Sequence, residues 1–277
     1  MKKLDAKVGI VCGSGQMPLL VADEVARIHP EGVGGVFALC LTDEAATRLS
    51  DRIQVEKVGL GQAARAIKLL KANGAEYIIF AGKVDKTPVL ASLKFDARGL
   101  KILASVRDFA DDTIMAALVK ELEGEGFEIL PQTAVLERYL VQDKVYTKRR
   151  PSKEETADIA YGLDKARGLA KLGIGQAVVV RKRAVLAAEA LEGTDETVRR
   201  GGQLAGGKGG VVVKAMKPGQ DARFDVPTVG LATLRLLIGG GLTALALEAG
   251  SSFLIDQEEV VAAANGAKVA VVGVRGK

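Results

Sequence analysis

The densest chemistry of this chain lies in the run Lys214-Ala215-Met216-Lys217-Pro218-Gly219-Gln220-Asp221-Ala222-Arg223-Phe224-Asp225-Val226-Pro227-Thr228. Lys214, Lys217 and Arg223 supply cations there, and Asp221 and Asp225 supply carboxylates, between a strand pattern and a helix pattern. Cations so placed neutralise charge developing on a phosphoryl group, and aspartates coordinate a divalent ion or orient an attacking water. The plainer reading of the same residues is a surface loop whose charges neutralise one another.

Further sites of interest follow other strand patterns. Glu189-Ala190-Leu191-Glu192-Gly193-Thr194-Asp195 comes after an apolar run, so Thr194 or Asp195 is placed to cap the next helix. Glu189 must be exposed, paired or metal-bound to be tolerated beside such a strand. The turn Gly13-Ser14-Gly15-Gln16-Met17-Pro18 leads into a helix whose first N–H groups can hold a phosphate. It resembles a dinucleotide fingerprint, but Pro18 stands where glycine belongs and no matching acid ends the second strand, which weakens a nicotinamide-dependent oxidoreductase. Ala81-Gly82-Lys83 follows the fourth strand pattern, where Lys83 can meet a diphosphate at the carboxyl edge of a sheet.

Other chemistries are disfavoured by what is scarce. The single histidine, His29, ends a helix pattern beside Pro30 and reads as a helix-terminal or surface residue. No Gly-x-Ser-x-Gly elbow occurs between a strand and a helix, which disfavours a Ser-His-Asp hydrolase. Cys12 and Cys40 lie in apolar runs without metal-ligand spacing, and so read as small buried hydrophobes rather than a disulfide or zinc pair. Carboxylates and an oxygen-preferring metal remain.

The elements that must position these residues alternate between short β-branched runs and longer helical spacings. Val8 to Cys12, Gly35 to Leu41, Ile53 to Val58 and Tyr77 to Ala81 read as strands, with helices over Pro18 to Ile28 and Gln62 to Asn73. This alternation predicts an N-terminal Rossmann-like domain built on a parallel sheet, residues 1–133. A helix opening at Asp111-Asp112 stops at the glycines 124 and 126. Residues 134–150 read as a connector, and a second α/β domain is expected over 151–277. It begins with a helix near Ser152, a strand pair at Ala177–Val180 and Ala184–Ala188, and ends in a strand, helix and strand over Ser252 to Val274 capped by Asp256 and Glu259.

With 277 residues, nearly half of them apolar, the chain can bury one large core or two. A net charge of +5 is modest and dispersed, which suits phosphates and argues against a nucleic-acid partner. The N-terminus lacks the apolar core of a secretory signal, and Leu236 to Leu247 is too short and glycine-broken to span a bilayer, so a cytoplasmic protein is expected.

In order and type these segments resemble the LpxI-type UDP-2,3-diacylglucosamine pyrophosphatases over nearly the whole chain: Gly9 to Pro18, Gly82 to Pro88, Asp111 to Phe127, Gly175 to Arg200, Lys214 to Gly230 and Ala249 to Val274. The strongest pieces are Gly175-Gln176-Ala177-Val178-Val179-Val180, continuing to Glu189 through Asp195, and Lys217 through Thr228. The resemblance implies magnesium-dependent hydrolysis of UDP-2,3-diacylglucosamine to 2,3-diacylglucosamine 1-phosphate (lipid X) and UMP, a step of lipid A synthesis in Gram-negative bacteria. It also implies two domains enclosing the acylated sugar, with Asp225 required for catalysis. Joined to the local chemistry, it makes Asp225 and Asp221 the expected catalytic residues and Mg2+ ligands. Gly13, Ser14, Gly15, Gln16, Gly82, Lys83, Gln176, Glu189, Thr194, Asp195, Lys214 and Arg223 are then the expected substrate contacts. Met17, Lys86 and Thr197 depart from the family's usual residues. A homodimer and a transient contact with the inner membrane surface stay open, as does a non-catalytic nucleotide-sugar or acylated-lipid binding protein of the same fold.

Overall fold

A computed structural model describes residues 4–84, 95–107, 111–216, 221–224 and 226–275. The chain divides into two compact units. One holds residues 1–136 with 222–224, and the other holds 137–221 with 225–277.

In the first unit, strands β1 (Lys7–Cys12), β2 (Val36–Cys40), β3 (Gln54–Lys57), β4 (Ala75–Ala81) and β5 (Glu128–Ile129) alternate with helices α1 (Met17–Ile28), α2 (Asp43–Leu49), α3 (Ala63–Ala72), α4 (Ala97–Ser105) and α5 (Asp111–Gly124). The strands pair in parallel in the order β3-β2-β1-β4-β5, so the Rossmann-like parallel sheet expected of this half is present. β2, flanked by β1 and β3, reads as a continuous apolar run because it is covered on both faces, and Val36 to Cys40 are all buried. Phe37, Leu39, Ile78 and Phe80 pack with Ile67, Leu70, Val119 and Leu122 from the helices. Each such side chain withdrawn from water stabilises the unit by about 1.5–3 kcal/mol before chain entropy is counted. A short helix, α6 (Gln132–Val135), closes the unit.

The second unit carries α7 (Lys153–Lys171), β6 (Ala177–Arg181), β7 (Ala184–Ala188), α8 (Thr194–Ala205), β8 (Val211–Lys214), β9 (Thr228–Val229), α9 (Leu231–Gly239), β10 (Ala244–Glu248), β11 (Phe253–Leu254), α10 (Gln257–Gly266) and β12 (Ala270–Val274). The main sheet has the order β12-β10-β8-β6-β7, in which β6 runs antiparallel to both neighbours. Strand alternation divides its core. Val178, Val180, Val211 and Val213 meet Ile159, Leu163 and Ala166 of α7, while Val179, Val212, Leu245 and Val271 meet Val198, Leu234, Leu237 and Val260 of the other helices. Ser152 caps α7 in a full capping box with Glu155, as its sequence suggests. Residues 140–146, read above as connector, lie beside the sheet: the Tyr146 N–H donates to the Val271 carbonyl and the Gly273 N–H to that of Lys144.

The cap expected on the last helix is absent. Asp256 occupies the N-cap position of α10 but takes a left-handed backbone (φ 51) and makes no side-chain bond to the helix; its carboxylate accepts from the Leu231 N–H instead. His29 does end α1 but is buried, not on the surface, with Nδ1 accepting from the Glu31 N–H and Nε2 lying 3.2 Å from the Ala6 carbonyl oxygen. Both cysteines are buried free thiols. Among the described residues no helix is long and apolar enough to cross a membrane.

Candidate functional site

In the second unit the expected residues gather at one edge of the main sheet. Lys214 ends β8, Gln176 precedes the antiparallel β6, and Glu189 follows β7, so the sheet's alternating directions bring all three to the same edge. Gly175 is required for the closeness: a Cβ there would lie 2.2 Å from the Glu189 carbonyl oxygen. The Glu189 carboxylate accepts from the Gln176 N–H at 3.0 Å and from the Thr194 hydroxyl at 2.8 Å. The same hydroxyl oxygen accepts from the Lys214 ammonium at 2.9 Å, and that ammonium also donates to the Thr228 carbonyl at 3.3 Å. Lys214 is buried, which is costly for a cation unless it is held in this way.

Thr194 and Asp195 are therefore not caps. Gly193 takes the N-cap position of α8 with no side-chain cap, and φ +83 there is open to glycine. Thr194 is committed to Glu189 and Lys214, and Asp195 accepts from the Thr233 hydroxyl at 2.7 Å. Glu248, at the end of β10, was not singled out from the sequence. It accepts from the Met216 N–H at 2.8 Å and is ion-paired with Arg167, so it fixes the start of the loop after β8. The available signal was the one that marked Glu189, a carboxylate ending an apolar strand.

That loop divides between the units. Asp221 belongs to the second and is half-buried, while 222–224 belong to the first, where Phe224 packs on the core and the Arg223 guanidinium lies 2.9 Å from the Glu123 carboxylate. Asp225, with Lys217 to Gln220, lies outside the described residues. Among the described residues no three His, Cys, Asp or Glu side chains converge to hold a metal ion. Glu189 and Asp195 are already satisfied by protein donors, so the described donor set does not by itself make a magnesium site.

In the first unit the two glycine turns meet. The Ser14 N–H donates to the Lys83 carbonyl at 2.7 Å and the Lys83 N–H to the Ser14 carbonyl at 2.9 Å. The crossing admits no side chain: a Cβ on Gly13 would sit 2.3 Å from the Lys83 carbonyl oxygen, and Gly82 (φ +89) is left-handed with its Cβ position 2.7 Å from the Ser14 carbonyl oxygen. Gln16 takes the N-cap position of α1 without a side-chain bond, and the Lys83 side chain is exposed. The Gly15 N–H already donates to an anion of this chain, the Glu44 carboxylate, at 3.2 Å. That N–H above all, with the Ser14 hydroxyl and Arg48, holds the Glu44 carboxyl below the usual carboxylate range.

Comparison with known proteins matches both halves. The LpxI N-terminal domain family covers residues 7–139, and the LpxI C-terminal domain family covers residues 142–272. The chain is 37% identical over 278 aligned residues to the UDP-2,3-diacylglucosamine pyrophosphatase LpxI of Caulobacter vibrioides, with 97% of each chain covered.

Proposed function

Because this chain belongs to the LpxI family, we propose that it hydrolyses the diphosphate of UDP-2,3-diacylglucosamine, giving 2,3-diacylglucosamine 1-phosphate and UMP. The observation that carries the reading is similarity along essentially the full length to a pyrophosphatase named for that substrate. The geometry of the second unit supports it. Lys214, buried and anchored by Thr194, supplies a fixed positive charge of the kind that stabilises a phosphoryl group as its bond breaks. Glu189 orients Thr194, and through it Lys214, so its role is positioning. Asp225 is assigned to orienting the attacking water, with Asp221 assisting and Arg223 contributing charge. Phosphoryl transfer leaves the protein little covalent work, so positioning and electrostatics carry most of the rate.

Magnesium dependence enters from the resemblance, as do a cytoplasmic site of action and transient contact with the inner membrane surface. The test is turnover of labelled UDP-2,3-diacylglucosamine by the purified protein with magnesium, with a chelator, and with magnesium restored. Substrate loss that the chelator stops and magnesium revives is expected. Tight binding without turnover under every condition would replace the enzyme with a nucleotide-sugar binding protein.

A further inference from the structure

Cys12 and Cys40 are the two cysteines of the chain, and the fold seats them side by side. Cys12 ends β1, Cys40 ends β2, and the two are direct register partners in this parallel pair, with Lys57 of β3 next in the same row. Residues so registered present their side chains on one face of a sheet, and the row therefore reads thiol, thiol, ammonium. Neighbouring strands lie about 4.8 Å apart, inside the Cα separation of roughly 4.4–6.8 Å that a disulfide spans. We propose that Cys40 and Cys12 form a peroxide-sensitive dithiol, in which Cys40 is the attacking sulfur and Cys12 closes a disulfide onto it.

The surroundings divide the two roles. Cys12 is enclosed, and its Sγ lies 3.4 Å from the Ile10 carbonyl oxygen, an acceptor for the thiol proton. Cys40 is also buried, but it lines a cavity of about 330 Å³ that Asp43, Lys57 and Arg65 line as well. A peroxide is little larger than a water, whose share of volume is about 30 Å³, so the cavity has room for one beside Cys40. Two cations against one carboxylate favour a thiolate on that wall, even with Asp43 holding the Lys57 ammonium at 2.7 Å. The hydrogen bond from Cys12 above all, helped by the Lys57 charge, holds the Cys40 thiol below its ordinary value against the cost of burial. The same bond, with burial, pushes the Cys12 thiol up, so the proton stays on Cys12.

The chemistry balances with a peroxide as the oxidant. The Cys40 thiolate attacks one peroxide oxygen, the O–O bond breaks, and the departing hydroxide takes up a proton to become water, which leaves Cys40 as a sulfenic acid. The Cys12 sulfur then attacks the Cys40 sulfur, the S–O bond breaks, and the hydroxyl leaves as water with the Cys12 proton. The peroxide gains two electrons and the pair of sulfurs loses two. This site is separate from the network around Lys214 and does not depend on the reaction proposed above.

The test is to add hydrogen peroxide to the purified full-length protein under native conditions and to follow free thiols and intact mass without reductant. Both thiols should disappear together, with loss of two hydrogens per chain, no link between copies, and full recovery in dithiothreitol. In Cys12→Ser the sulfenic acid should persist on Cys40 and be captured by dimedone, whereas Cys12 in Cys40→Ser should react about tenfold more slowly or less. Lys57→Ala, at an exposed position, should slow oxidation by about threefold or more, and Lys57→Arg should restore the rate. Thiols that resist peroxide until denaturant is added, disulfides that join two copies, equal reactivity of Cys12 and Cys40 in the serine variants, or a rate indifferent to Lys57→Ala would each overturn the proposal.

Discussion

Replacing Thr194 by valine probes the network at the edge of the second sheet, because valine keeps the shape of threonine and removes only the hydroxyl that joins Lys214 to Glu189. The substitution deletes two hydrogen bonds to charged groups. Each is worth about 1.5–3 kcal/mol, and since Lys214 keeps the Thr228 carbonyl and Glu189 keeps the Gln176 N–H, the pair together comes to about 2–4 kcal/mol. At about 3 °C per kcal/mol for a unit of this size, the melting transition of the second unit should fall by roughly 6–12 °C in calorimetry. With one of its anchors gone, Lys214 is held less firmly in place, and kcat/KM should drop by about tenfold or more. Thr194→Ser retains the hydroxyl and should stay within about 1 kcal/mol of wild type. A valine variant that melts within about a degree of wild type and turns over normally would show that the hydroxyl holds nothing of consequence.

Asp225→Asn should fold and bind substrate while turnover falls by about a hundredfold or more, checked by single-turnover kinetics beside equilibrium binding. Gly13→Ala should destabilise the first unit by about 2–4 kcal/mol in denaturant unfolding, because the added methyl meets the Lys83 carbonyl where neither turn can retreat. Glu155 gives a pH dependence. Burial pushes its carboxyl up, but hydrogen bonds from Arg149, Thr243 and the Ser152 N–H outweigh that and hold it below the usual glutamate range. A carboxyl lowered by folding stabilises the protein above its unfolded pKa, and the contribution is lost as pH falls through the folded value. Wild type should therefore melt well above Glu155→Gln at neutral pH, with the gap closing in acid below pH about 4.

Much of the fold was legible because burial on both faces writes itself into continuous apolar runs such as Val36 to Cys40 and Val178 to Val180. The sequence placed both the Gly13-Ser14 and Gly82-Lys83 turns after strands of one parallel sheet; that they touch comes from β1 and β4 being neighbours. Strand direction was only half legible. The short turn from Arg181 to Ala184 makes β6 and β7 antiparallel, but nothing in Ala177 to Arg181 says that it also runs against β8, and that reversal brings Gln176 and Glu189 to Lys214. Local rules misplaced Thr194 and Asp256 for a related reason: threonine and aspartate cap helices when no stronger partner is near, and here Lys214 and Glu189, or a left-handed backbone, take precedence.

The central claim is the reaction, and its most direct test is to incubate the purified protein with UDP-2,3-diacylglucosamine and magnesium in water enriched in oxygen-18 and to weigh both products. The expected result is 2,3-diacylglucosamine 1-phosphate and UMP in equal amounts, with one heavy oxygen carried by a single one of the two phosphates. Intact substrate, or release of UDP with the diacylated sugar lacking its phosphate, would contradict it.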